Sequence, residues 1–90
     1  MGYKVLVTID LPDIDSKIRD EFYNVLKEEK WNKIESLTTA WKVSFKDDVT
    51  REGAISTLES DLKKAKEKSK AKKVEYAIQM DKVQVTVKRL

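Results

Sequence analysis

Ninety residues with 40% hydrophobic and 39% charged side chains describe a small domain with a modest core, and 19 basic residues against 16 acids leave a net charge of +3. The chain has no cysteine and no histidine, which excludes a disulfide framework, thiolate metal sites and the side chain most often used as a general base near neutral pH. No apolar run approaches the ~20 residues of a membrane helix, and MGYKVLVTID has strand character without a small-residue cleavage site, so a cytoplasmic protein without a signal peptide is expected.

Lys4 to Asp10, KVLVTID, is rich in β-branched residues and runs into the turn-forming LPDID. Val5, Val7 and Ile9 fall on one face and Leu6 and Thr8 on the other, the pattern of a central strand. Asp15 or Ser16 is placed to cap a helix from Ser16 to about Lys30. Ile18, Phe22, Val25 and Leu26 form its apolar stripe at helical spacing.

Trp31 to Leu37 could extend the helix or form a short strand; the strand is favoured because tryptophan, threonine and isoleucine prefer pleated surfaces, with Leu37-Thr38-Thr39 near the turn. Trp41, Val43 and Phe45 then alternate with Lys42, Ser44 and Lys46, giving a strand with one wet face and a short basic strip. KDDVT is a loop that leads to a second cap at Asp48 or Thr50. Ala54, Ile55, Leu58, Leu62 and Ala65 make the stripe of a second helix, with acids near its start and lysines near its end, as the helix dipole favours.

Val74, Tyr76, Ile78 and Met80 alternate with polar or small residues, Asp81-Lys82 makes a turn, and Val83, Val85 and Val87 alternate again. That pattern predicts a C-terminal hairpin. The order β-α-β-β-α-β plus a C-terminal strand predicts an α+β fold: a ferredoxin-like two-layer sandwich, two helices on one face of an antiparallel sheet, formed by residues 1–90 as one domain. Trp31, Trp41, Phe22, Phe45 and Tyr76 sit on apolar stripes and are expected in the core, with Tyr3 and Tyr23 half exposed.

The charge is unevenly placed. Residues 1–45 hold 7 basic and 8 acidic side chains, whereas residues 46–90 hold 12 and 8. The excess comes largely from KKAKEKSKAKK, in which Lys63, Lys64, Lys66, Lys68, Lys70, Lys72 and Lys73 stand against the single acid Glu67. Such a ramp can track a phosphate backbone, or it can simply solvate a helix end. It contains no aromatic side chain on which a base could stack.

Asp10 ends the first strand, and Asp13 and Asp15 follow, so three carboxylates gather within six residues. Oxygen ligands of this kind suit Mg²⁺, and a bound metal would supply the activation that histidine otherwise does. The same residues also serve a plainer purpose, in which Asp10 and Asp13 shape the loop and Asp15 caps the helix. At the other end, Val83, Val85 and Val87 require a covering surface, and a strand at a sheet edge offers amides to a second copy of the chain.

A strand ending in aspartate (KVLVTID), a helix, a hairpin carrying TTAWKVSF, a second helix and a C-terminal hairpin resemble the small ferredoxin-like nucleases. These include the GhoS-type antitoxin endoribonucleases and the CRISPR adaptation proteins that scaffold an integrase. The resemblance implies a homodimer completed by the C-terminal strand, with RNA or DNA as partner. In the CRISPR branch it implies that Asp10 is a catalytic metal ligand. The chain departs from that branch after Asp10, where the sequence is acidic and Arg19 is the only arginine of the helix. The expectation is a nucleic-acid-associated protein, with metal-dependent endoribonuclease or antitoxin-like activity. The alternative is a non-catalytic protein-interaction module, of phage or plasmid regulator type, that acts through its sheet edge.

Overall fold

The computed structural model describes residues 2–37 and 39–90. The elements are β1 (Lys4–Asp10), α1 (Ser16–Glu28), β2 (Asn32–Lys33), β3 (Ala40–Ser44), α2 (Arg51–Ser69) and β4 (Glu75–Asp81). The sheet order is β2-β3-β1-β4, and every neighbouring pair is antiparallel. Both helices pack on one face of it. This is the ferredoxin-like sandwich that the element order predicts.

β1 is central, as its two-faced apolar pattern requires. It pairs with β3 on one side (Val5↔Val43, Val7↔Trp41) and with β4 on the other (Val7↔Ile78, Ile9↔Tyr76). Val5, Val7, Ile9, Trp41 and Val43 are buried beneath the helices. Phe22, Val25 and Leu26 of α1 meet Leu58, Leu62 and Ala65 of α2 above them in the same core. Each large apolar side chain so buried contributes roughly 1.5–3 kcal/mol.

Helix boundaries follow local chemistry. The Asp15 carboxylate accepts from the Ile18 amide at 2.9 Å, and Thr50 Oγ1 accepts from the Gly53 amide at 3.0 Å. Asp15 and Thr50 are thus the caps, each one of the two candidates at its helix. The first helix stops two residues short of Lys30, at Glu28. There Lys30 takes a left-handed φ of 71°, its amide donates to Lys27 O, and the Trp31 amide donates to Leu26 O at 3.0 Å. That pair of bonds is a Schellman motif with lysine in the position glycine usually holds.

Four expectations are corrected. The strand expected over Trp31–Leu37 contracts to Asn32–Lys33, because the chain turns at Glu35–Ser36 and the Leu37 amide bonds back to Ile34 O at 3.0 Å. Thr38, placed near that turn by the sequence pattern, lies outside the described residues. The C-terminal strand over Val83–Val87 does not form within one protomer. Among the described residues no strand follows Asp81, and Val83 and Val87 are exposed. Tyr76, expected in the core, is 41% exposed. It does point toward the helix side, opposite Ile9, but on an edge strand that the helices only partly cover. Tyr3 and Tyr23 are half-buried as expected, whereas Phe45, expected in the core, is only half-buried against it. No helix among the described residues is long and apolar enough to cross a membrane.

One polar contact ties the two halves of the helical layer together. Trp31 is 3% exposed, and its indole N–H donates to the Asp61 carboxylate of α2 at 2.9 Å. Lys64 reaches Glu29 beside it at 3.3 Å. Burial pushes the Asp61 carboxyl above the usual carboxylate range and Glu29 adds to the rise, while the Trp31 bond and Lys64 oppose it.

A carboxyl raised on folding is stabilising when protonated, so its contribution is full below the unfolded pKa and is lost as pH rises through the folded one. Asp61→Asn keeps an acceptor for the indole and removes this dependence, so acidification from neutral stabilises the parent more than the variant in thermal melts. Asp61→Ala leaves the buried N–H unsatisfied and costs about 1–3 kcal/mol. Equal pH responses in parent and Asn variant would remove Asp61 as the titrating group.

Candidate functional site

The lysine ramp does not form one continuous surface. α2 extends to Ser69, so Lys63, Lys64, Lys66 and Lys68 stand on the helix, and Lys70, Lys72 and Lys73 follow it. The helix ends where Lys70 adopts φ 65°. Buried Ser69 fastens this reversal: its hydroxyl donates to Lys66 O at 3.4 Å and accepts from the Ala71 amide at 3.3 Å. The chain then returns along the flank of the helix it has just left.

The reversal sorts the lysines. Lys63 and Lys66 from α2, with Lys72 and Lys73 from the connection, line one groove of about 310 Å³ against β4. Leu62 and Val74 provide its apolar lining, and Tyr76 and Glu59 complete it. Lys64 is drawn to the opposite flank by Glu29. Lys68 and Lys70 are exposed but are not part of this groove. Lys73 also reaches Glu75 at 3.0 Å, an exposed pair of small energetic weight.

Sequence reasoning missed Tyr76 as a member of this site. The ramp itself lacks an aromatic, but β4 supplies one from outside it. The Tyr76 hydroxyl donates to Glu59 Oε2 at 2.5 Å, which fixes the ring's position. That hydrogen bond holds the phenol above its ordinary pKa, with burial and the Glu59 charge adding to the shift. The signal available in the sequence was only the alternation of Val74, Tyr76, Ile78 and Met80, which gives direction but not cover.

Asp10 lies exposed at the end of β1, directly across the β1–β4 ladder from Glu75. It borders a second hollow of about 660 Å³, where α1 faces the segment before β3. Asp13 and Asp20 share that hollow with Arg19, Lys27 and Lys33, and Tyr23 forms part of its wall. Burial raises the Tyr23 pKa; Arg19 opposes the rise, and Asp10 and Asp20 reinforce it.

The expected convergence of Asp10, Asp13 and Asp15 is not realised. Asp15 is turned to the Ile18 amide, and Asp13 occupies a left-handed turn at φ 53°. Among the described residues, no three acidic side chains come together in a way that could hold a metal ion. Mg²⁺ keeps several of its waters and takes one or two carboxylates; of the three acids, Asp10 and Asp13 line one hollow, and Asp15 is engaged as the helix cap.

The tether between Tyr76 and Glu59 has a spectroscopic consequence. Glu59→Gln removes the charge beside the phenol, and the ionisation of Tyr76 moves down toward that of an ordinary tyrosine. Phenolate absorbance followed through the alkaline range, in parent and variant, reads the difference. Superimposable titrations would mean that Glu59 does not hold the proton.

No family model matches the chain, and no curated protein matches it. Among solved structures, it is similar to the crystal structure of protein SP2199 from Streptococcus pneumoniae, a structural-genomics target. The likeness has a TM-score of 0.57 at 12% identity and covers 90% of this chain and 86% of that one. At this identity, the similarity is one of fold.

Proposed function

We propose that the chain is a nucleic-acid-binding protein whose contact surface is the lysine groove between the end of α2 and β4. The observation that carries this reading is the gathering of Lys63, Lys66, Lys72 and Lys73 from two successive segments into one groove. Four ammonium groups around one hollow favour a ligand with several negative charges along its length. The resemblance to GhoS-type and CRISPR adaptation proteins points to the same partner class.

Binding is favoured over cleavage. Asp10 is exposed, and among the described residues no group of three acidic side chains includes it. Asp10→Asn therefore retains the parent's affinity for RNA. Mg²⁺-dependent loss of full-length RNA that this substitution abolished would restore Asp10 as a catalytic ligand.

Replacing Lys63, Lys66, Lys72 and Lys73 by Gln flattens the salt dependence of binding. At roughly 0.7 in slope for each phosphate neutralised on a single strand, the change is up to about 3. Replacing Lys64, Lys68 and Lys70 instead produces a smaller change. Equal changes in the two variants would show diffuse charge at work and remove the groove from the argument.

The reading includes a homodimer joined through the C-terminal segment. β4 is an outer strand of the sheet, and the alternating VQVTV beyond it leaves Val83 71% and Val87 39% exposed. An edge strand next to an uncovered apolar row is a template for a second copy of the chain. Sedimentation at micromolar concentration is expected to give a dimer, and Val83→Lys with Val87→Lys a monomer. A monomeric parent would remove this part of the proposal.

A further inference from the structure

We propose that the groove takes a single strand, with one unpaired base laid on the ring of Tyr76 and the flanking phosphates against the lysines. This inference rests on the reading of the groove as a nucleic-acid site and names the form of the ligand. The ring is 41% exposed, whereas Phe22, Trp31 and Trp41 are buried in the core and Tyr3, Tyr23 and Phe45 are half-buried against it. It is also held in place: the 2.5 Å bond to Glu59 anchors the phenol at its hydroxyl, and Tyr76 lines the groove together with Leu62 and Val74. An aromatic fixed in advance loses little conformational freedom when a base stacks on it.

The dimensions and chemistry favour a single strand over a duplex. A hollow of about 310 Å³ is at the lower end of the range for small-ligand sites. Bases inside a duplex are stacked on one another, so an aromatic side chain reaches a base face only where pairing is absent. The sheet's outer face offers no competing platform. Lys4, Leu6, Thr8, Lys42, Ser44 and Gln79 lie there, with no aromatic among them. At Tyr76, cationic side chains and an exposed aromatic ring coincide in one groove.

Fluorescence anisotropy in dilute buffer tests the assignment, using labelled oligouridine, oligothymidine and an abasic strand of equal length and charge. Tyr76→Leu is expected to weaken binding of the two base-bearing strands by about tenfold, within the range measured for single stacked bases. It leaves the abasic strand unaffected, and Tyr76→Phe, which keeps the ring but loses the tether to Glu59, weakens the base-bearing strands less than Tyr76→Leu does. A Tyr76→Leu protein that binds base-bearing and abasic strands with equally altered or unaltered affinity overturns the stacking role and leaves the electrostatic groove standing. A parent protein that binds none of the strands overturns both.

Discussion

The antiparallel pairing of β1 with β4, the first strand with the last, is the constraint on which the rest of the molecule depends. It seals one side of the central strand, sets Tyr76 opposite Ile9, and sets Glu75 opposite Asp10. A one-residue slip would carry Tyr76 to the outer face of the sheet and away from α2. The ring would then lose Glu59, and the lysines of the helix flank would face no aromatic. The register is held by burial, because Val5, Val7 and Ile9 have to face Phe22, Leu26 and Leu58.

The same pairing leaves β4 at an edge, and its properties are those of an edge. Its inward residues are covered only in part, so the alternation that buries Val7 completely leaves Ile78 and Met80 half-buried and Tyr76 more exposed still. Cover is a property of neighbours. The helices lie chiefly over β1 and β3, and α2 reaches β4 through a single long-range side-chain bond, Glu59 to Tyr76. A partly covered aromatic in such a place is free to meet a ligand, whereas Trp41 in the middle of the sheet is not.

Electrostatics divide the chain by geometry as well as by composition. Acids along α1 and the loop before it surround a mixed-charge hollow near Asp10, and the lysines collect at the opposite flank of the helical layer. The two regions are linked through the strand pair, but their chemistries are separate.

Much of the fold was legible in the residues alone. β-branched runs of period two and apolar stripes of period 3.6 determined the number, type and order of the paired elements. Asp15 and Thr50 were identifiable as cap candidates because capping is a contact between residues three apart. What only the tertiary structure decided was everything that depends on non-local neighbours. Asp15 is close to Asp10 in the chain yet diverges from it, because a capping bond aims it at the Ile18 amide. The seven lysines of one run divide because Ser69 and Lys70 reverse the chain. Tyr76 joins some of them from another strand, and Val83 to Val87 have a strand's pattern but no strand to pair with in one protomer. Periodicity records which way a side chain points; how closely it is covered, and by what, depends on surfaces far away in sequence.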